Sequence, residues 1–90
     1  MKFEIMPITV TVKLFAVLRE KAGASEERIE LPAGATVGAA AAEIGRRFPS
    51  LNGLISKTSF AVNREYAKTD RILADGDELA LIPAVSGGIW

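Results

Sequence analysis

The sequence predicts a small α+β domain in which one β-sheet packs against one main helix. Residues 8–15 alternate between apolar and polar side chains, which is the period of a half-buried strand. Residues 37–48 repeat apolar side chains every three or four positions, which is the period of an amphipathic helix. A last apolar run, 79–82, follows the turn signal of residues 75–77. The order of these segments fits a helix segregated to one face of a sheet.

The N-terminal part of the chain predicts a strand, a short helix and a second strand. Ala16–Ala22 consists of good helix formers, and Gly23 follows where a left-handed C-cap is expected. Residues 26–31 alternate again and end at Pro32, so we expect a second strand that is antiparallel to the first. The first strand carries four apolar side chains on one face: Ile8, Val10, Val12 and Leu14.

The main helix is predicted to begin after Thr36, a good N-cap residue, and to stop before Pro49. Glycine costs about 1 kcal/mol relative to alanine inside a helix. Gly38 and Gly45 therefore indicate that this helix depends on packing against the sheet. Its apolar stripe comprises Val37, Ala40, Ala41, Ile44 and Phe48.

The C-terminal part predicts two further strands separated by a turn-rich segment. Residues 50–57 have the pattern of an irregular connection, and residues 59–63 that of a strand. We interpret Asp75 and Asp77 as turn residues rather than as a paired-carboxylate site. The last strand, 78–82, is apolar on both faces, which predicts a central strand or one with a face left for a partner.

Composition excludes several classes of function. Eleven basic and eleven acidic side chains cancel, so the chain lacks the basic footprint of a nucleic-acid or membrane-surface binder. Cysteine and histidine are absent, which removes disulfides, thiolate nucleophiles, imidazole bases and the usual metal ligands. The sequence contains no apolar run of about 20 residues and no signal-peptide pattern. We therefore expect a cytoplasmic protein without a metal site, a nucleic-acid partner or a membrane partner.

Several side chains allow two interpretations or occupy a predicted core. Four basic residues suit either partner contacts or a solvated face: Arg19, Arg46, Arg47 and Lys57. Three aromatic residues are predicted to belong to the core: Phe15, Phe48 and Phe60. The helix stripe is expected to pack against a sheet that includes Val10, Val12, Phe60 and Leu81.

The chain is predicted to consist of a folded body, residues 1–83, and a flexible C-terminal tail, residues 84–90. No charged side chain follows Glu78. Gly87 and Gly88 have no Cβ, so the backbone there can lie close to a partner or pass through a narrow channel. Paired glycines also occur in ordinary turns and linkers. Residues 1–5 either extend the first strand or precede the domain.

Four segments together resemble the ubiquitin-like sulfur carriers with a β-grasp fold. Within that family the likeness is closest to the small subunit of molybdopterin synthase, also called subunit 1 of the molybdopterin-converting factor. The likeness spans the chain from Ile8 onward and implies a mixed sheet packed on one main helix. The segments are Val12–Ala16 with Leu18–Glu20, Phe60–Asn63, Leu73–Pro83 and Val85–Gly88.

The resemblance also implies a chemical role for the tail. A ubiquitin-activating-like adenylyltransferase would use ATP to adenylate the carboxylate of Gly88, which is then converted to a thiocarboxylate. The large subunit of molybdopterin synthase would receive the sulfur, and the carrier would be a non-catalytic, sulfur-donating subunit that binds no cofactor itself. The partner-binding residues implied are Gly87, Ser86, Val85 and Pro83.

The sequence departs from this family after Gly88. Family members end at the second glycine, whereas here Ile89 and Trp90 follow. Gly88 then lacks a free carboxylate, so a processing protease is implied. Three alternatives remain open: a carrier for thiamine, cysteine or tRNA thiolation, a ubiquitin-like modifier joined to lysines through Gly88, and a binding domain whose blocked tail never reacts.

Overall fold

The computed structural model describes residues 6–83, which form a five-stranded mixed sheet with the main helix on one face. The strands are β1 (Pro7–Leu14), β2 (Glu26–Pro32), β3 (Thr58–Val62), β4 (Glu65–Ala67) and β5 (Glu78–Pro83). The helices are α1 (Ala16–Ala22), α2 (Val37–Arg47) and α3 (Asn52–Ile55), and a 3-10 turn at Pro49–Leu51 precedes α3. The strand order is β2-β1-β5-β3-β4. Strands β1 and β5 are parallel, and the other neighbours are antiparallel.

This architecture confirms the predicted α+β class and the central position of the last strand. The sequence also predicts a division into a folded body and a flexible tail. The tail, residues 84–90, lies outside the described range, so this division stays a prediction. The two interpretations of residues 1–5 lie outside that range as well. Within residues 6–83, no helix has the length and apolar character needed to cross a membrane.

The N-terminal elements lie where the sequence pattern predicts them. β1 pairs with β2 so that Val10 lies opposite Ile29, and both side chains point into the core. Between these strands α1 ends at Gly23, which has a φ of 75°. Glycine adopts this left-handed conformation without steric cost, and its backbone N–H donates to the carbonyl of Arg19 at 2.9 Å. The cap therefore stops α1 and turns the chain into β2.

The core lies between α2 and one face of the sheet. Thr36 caps α2, because its Oγ1 accepts a hydrogen bond from the backbone N–H of Ala39 at 3.2 Å. Val37 and Ile44 are fully buried, as the helix stripe predicts, whereas Phe48 is partly buried at the margin of the core. The sheet contributes Val10, Val12, Ile29, Phe60, Val62, Leu79 and Leu81.

Residues 49–55 are helical where the sequence predicts an irregular connection. The 3-10 turn buries Leu51, and α3 then packs beside α2. A Cβ on Gly45 would collide with the side-chain oxygen of Asn52, so the glycine allows this close approach. The segment is too short to show a helical period, which explains why the pattern missed it.

β4 is a second element that the sequence does not predict. β3 and β4 form a hairpin across Asn63 and Arg64, which both have positive φ angles, 51° and 74°. Two positive φ angles define the tight turn that matches strand twist, and Asn-Gly is its usual sequence. Here arginine occupies the position where glycine is usual. Asn63 alone therefore indicates a turn but does not predict the hairpin or β4.

Two aspartates and an asparagine fix the point at which β5 enters the sheet. Asp75 Oδ1 accepts a hydrogen bond from the Thr9 backbone N–H, and Asp77 Oδ2 accepts one from the Ala74 N–H, both at 2.8 Å. Asn63 Nδ2 donates to Asp77 Oδ1 at 2.9 Å, and Asn63 Oδ1 accepts from the next backbone N–H, at Glu78. These contacts support the interpretation of both aspartates as turn residues.

Glu43 binds two arginines at the end of α2, and one of them, Arg47, also connects the helix to β2. Arg47 Nε donates to Glu43 Oε2 at 2.9 Å, and Arg47 Nη1 donates to Glu27 Oε2 at 2.8 Å. Hydrogen bonds from Arg46 and then from Arg47 lower the pKa of Glu43 to about 2. Arg46 and Arg47 thus bind acidic side chains of their own domain.

We expect Glu43 to make the free energy of unfolding depend on pH. Its pKa is lowered from 4.5 to about 2 by folding, so its ionised form stabilises the fold above pH 4.5. That contribution is lost as the pH falls towards about 2. Denaturant unfolding across this range should show a smaller acid-induced loss for Glu43→Gln than for the unsubstituted chain.

The exposed Glu30 on β2 provides the control for this experiment. Glu30→Gln also removes a carboxyl group but leaves the contacts of Glu43 intact, so its loss on acidification should match that of the unsubstituted chain. Equal losses in all three proteins would contradict a role for Glu43.

Candidate functional site

β5 carries the chain from the centre of the sheet to the start of the tail. It is hydrogen-bonded to β1 on one side and to β3 on the other. Leu81 lies opposite Leu14 of β1, and Pro83 lies opposite Thr58 of β3. Pro83 ends the strand and is partly exposed. β5 is therefore paired on both sides as far as Leu81 and with β3 alone at Pro83, the last described residue before the tail.

Pro83 is the one predicted site residue within the described range. Val85, Ser86, Gly87 and Gly88 lie outside it, so their roles in partner binding and sulfur transfer remain predictions.

A groove of about 530 Å³ lies beside the end of β5, on the sheet face opposite α2. Its floor is formed by Ala61 and Ala80, which lie opposite each other in β3 and β5. Lys13 of β1 borders Ala80 on one side, and Tyr66 of β4 borders Ala61 on the other. Small side chains flanked by larger ones produce the depression. We call this surface the groove.

Phe15, Tyr66 and Ile82 give the groove an apolar border. Phe15 is 45% exposed and Tyr66 is 79% exposed. The prediction that Phe15 belongs to the core is therefore wrong. Successive side chains of a strand point to opposite faces, so the alternation that buries Leu14 directs Phe15 away from the core. Exposed apolar and aromatic side chains around a depression are typical of a docking surface.

The charged side chains of the groove fall into a paired set and an unpaired set. Lys13 Nζ lies 3.0 Å from Glu26 Oε1 and 3.6 Å from Glu78 Oε2. Hydrogen bonding to Glu26 raises the pKa of the Lys13 ammonium group. Arg19 and Arg64 also line the groove, and neither forms an ion pair with any residue between 6 and 83. Two guanidinium groups are thus available to a ligand at this surface.

These positions show where each of the four basic candidates lies, and contact with a partner remains a prediction for them. Arg19 borders the groove, where it suits a partner contact. Arg46 and Arg47 belong to the Glu43 contacts described above. Lys57 is exposed.

The sequence missed most of the groove because its residues come from six separate elements. Ala61, Tyr66 and Arg64 carry no pattern of their own, and they meet only when β3, β4 and β5 assemble. One signal was present: the Ala80 and Ile82 face of the last strand is apolar although the Leu79 and Leu81 face already fills the core. The strand is both central and exposed to a potential partner.

Comparisons with known proteins agree with this architecture. The ThiS family model matches residues 12–88, so the matched segment ends at Gly88. A molybdopterin synthase sulfur carrier subunit of Chlamydomonas reinhardtii is 40% identical over 81 residues, which cover 88% of this chain and 98% of that protein. A subunit with the same description from Arabidopsis thaliana is 37% identical over 81 residues, which cover 90% of this chain and 84% of that protein.

Solved structures show the same fold. The crystal structure of small archaeal modifier protein 1 from Haloferax volcanii is similar with a TM-score of 0.81 and 32% sequence identity. The likeness covers 87% of this chain and 99% of that one. The fold is the ubiquitin-like β-grasp fold, as predicted.

Proposed function

The chain belongs to the ThiS family, and on that premise we propose that it is a sulfur carrier that acts as the small subunit of molybdopterin synthase. The main support is its 40% and 37% identity to two molybdopterin synthase sulfur carrier subunits over nearly the whole chain. The family match also includes both glycines of the tail. The proposal therefore concerns both the folded body and Gly88.

The proposed chemistry takes place on the carboxylate of Gly88. An adenylyltransferase joins this carboxylate to the α-phosphate of ATP and releases pyrophosphate. Sulfide from a donor then attacks the acyl carbon, AMP leaves, and a thiocarboxylate remains. Glycine suits this position because it has no Cβ to crowd the attack or to restrict the backbone in a narrow channel. The proposal assigns no acid, base or metal ligand of this chain to these steps.

We propose that the body contributes a fixed exit for the tail and a docking surface beside it. β5 is paired with β1 as far as Leu81 and with β3 as far as Pro83, and this pairing holds the end of the strand in the sheet. The groove lies directly beside this exit and combines apolar side chains with Arg19 and Arg64, which form no ion pair with residues 6–83. The large subunit would bind the groove while the tail enters its active site. Pro83, Val85, Ser86 and Gly87 would line the path to Gly88.

Ile89 and Trp90 lie outside the matched segment. We propose that a protease removes them before activation, because adenylation requires a free carboxylate on Gly88. We propose a cytoplasmic location, where ATP for this step is available.

Assembly and sulfur transfer can be tested together. The chain ending at Gly88, co-expressed with a molybdopterin synthase large subunit, should form a stable complex on size-exclusion chromatography. After reaction with the adenylyltransferase, ATP and sulfide, that complex should convert the sulfur-free pterin precursor to molybdopterin. Separate elution at roughly micromolar concentrations, together with no product, would contradict the proposal.

Two variants with the same substitution test the docking surface in this experiment. Ala80→Arg places a long charged side chain on the floor of the groove and should weaken the complex. Ala42→Arg makes the same change on the exposed side of α2, away from the groove, and should leave the complex intact. Equal binding of both variants would place the interface elsewhere.

A second candidate is a protein modifier, which is favoured by the likeness to small archaeal modifier protein 1. The same adenylate on Gly88 would then be attacked by a lysine ammonium group after deprotonation, which forms an isopeptide bond. Conjugates that resist denaturant and reductant, with a tail remnant on lysine in mass spectra, would select this candidate. Absence of such conjugates combined with formation of molybdopterin would select the sulfur carrier.

A further inference from the structure

The groove fits a segment of this same chain. We propose that Trp90, together with Ile89, docks into the groove of its own molecule for as long as these two residues remain attached. The docked segment would then cover the surface that the proposed function assigns to partner binding. Docking of Trp90 does not depend on the proposed function. Interference of the docked segment with partner binding does rest on the proposed function.

The segment is long enough to reach the groove. Trp90 lies seven residues beyond Pro83, and an extended chain spans at most about 3.3–3.6 Å per residue, or about 25 Å in all. Strands lie about 4.8 Å apart, so the groove from β1 to β4 is about 15 Å wide. The chain must reverse direction after β5, and Ser86–Gly88 consists of turn-forming residues. The length and the turn-forming composition of residues 84–90 are therefore both compatible with docking.

The composition of the segment matches that of the groove. Residues 84–90 carry no charged side chain, which suits the alanine floor between Lys13 and Tyr66. The volume of about 530 Å³ lies within the roughly 300–1,000 Å³ of sites that hold small ligands. A flat indole can pack against the exposed rings of Phe15 and Tyr66 in edge or offset geometry.

Arg19 and Arg64 favour an indole further. Both line the groove, and neither is paired with an acidic side chain of residues 6–83. A guanidinium group stacks on the face of an aromatic ring, and tryptophan is the best partner for this interaction. Trp90 is the only tryptophan of the chain. An indole in the groove would therefore contact the alanine floor, the rings of Phe15 and Tyr66 and the guanidinium groups of Arg19 and Arg64.

The single tryptophan makes the proposal directly measurable. In the full chain, Trp90 should emit at a shorter wavelength than N-acetyltryptophanamide. Its quenching constant with acrylamide should fall at least about twofold, as expected if half or more of the molecules are docked. Both values should be independent of protein concentration. Ala80→Arg should return them to those of the free compound, and Ala42→Arg should leave them unchanged.

A second measurement does not depend on the variants. Amide NMR spectra of the full chain and of the chain ending at Gly88 should differ at Ala61, Tyr66 and Ala80, and should coincide along α2. Emission and quenching equal to those of the free compound, with identical spectra around the groove, would overturn the proposal. Protection that grows with protein concentration would also overturn it, since a second copy would then be the occupant.

These outcomes are separate from those that test sulfur transfer. If Trp90 docks but the protein never accepts sulfur, the docking inference holds and the proposed function is contradicted. If the protein accepts sulfur but Trp90 does not dock, the proposed function holds and the docking inference is contradicted. If both proposals hold, the full chain should bind the large subunit more weakly than the chain ending at Gly88.

Discussion

The full chain is expected to be inert in adenylation, whereas the chain ending at Gly88 is expected to be active. In the full chain the carboxyl carbon of Gly88 is part of a peptide bond to Ile89. It has no carboxylate oxygen to attack the α-phosphate of ATP. A carboxylate displaced by two residues would miss the catalytic groups, and misplacements of about 1 Å already cost about 10²-fold in rate. ATP–pyrophosphate exchange with the cognate adenylyltransferase measures this difference.

Two further chains separate the position of the carboxylate from the bulk of the tail. Gly88→Val in the shortened chain keeps the carboxylate in place but adds a branched side chain, and it should lose most of the activity. The shortened chain extended by two glycines has a displaced carboxylate without Ile89 and Trp90, and it should be inert. Equal exchange by the full and shortened chains would refute processing. No exchange by any of them would favour a binding domain.

Ile44→Ala is expected to lower the free energy of unfolding by about 2 to 5 kcal/mol, the range for truncating a buried aliphatic side chain. Ile44 is fully buried between α2 and the sheet. The helix contains Gly38 and Gly45, so its intrinsic propensity is low and its stability depends on this packing. Denaturant unfolding, with the slope checked for constancy, gives the change directly.

Ile72 provides a matched control for the same substitution. Its side chain is 62% exposed, and substitutions at exposed positions usually change stability by less than about 0.5 kcal/mol. Ile72→Ala should therefore be nearly neutral. Similar losses at Ile44 and Ile72, or a loss below about 0.5 kcal/mol at Ile44, would contradict the core described above.

Sequence periodicity was sufficient to predict the elements that bury one complete face. β1, β2 and α2 each repeat apolar side chains over several turns or pleats, and α1 was predicted from its helix-forming residues and the Gly23 cap. Each of the four lies within one or two residues of its predicted bounds. The Asp75 and Asp77 turn was also identified correctly, because aspartate hydrogen-bonds nearby backbone amides in such turns. In these cases the turn-forming side chains and a repeat several residues long were enough to predict the structure.

The sequence was insufficient where tertiary contacts decide the structure. α3 and β4 are too short for a period, and Arg64 occupies a turn position where glycine is usual. Phe15 was assigned to the core by residue type, although its place in the alternation directs it outward. The groove has its floor only after β3 pairs with β5, and its other lining residues come from four further elements. The chemistry of Gly88 came from resemblance rather than from the described residues, so it rests on the experiments above.

The pairing of β5 between β1 and β3 also bears on how the protein is made. A ribosome releases β1 first, but the middle position of the sheet stays empty until residues 78–83 emerge. β1 and β5 are distant in sequence, and non-local parallel pairing is slow to form. Nascent chains that lack β5 cannot complete the sheet, and they also lack an anchored tail. On the proposed function, β5 precedes Gly88 along the chain, so every copy that carries the residue proposed for activation also carries the central strand of the sheet.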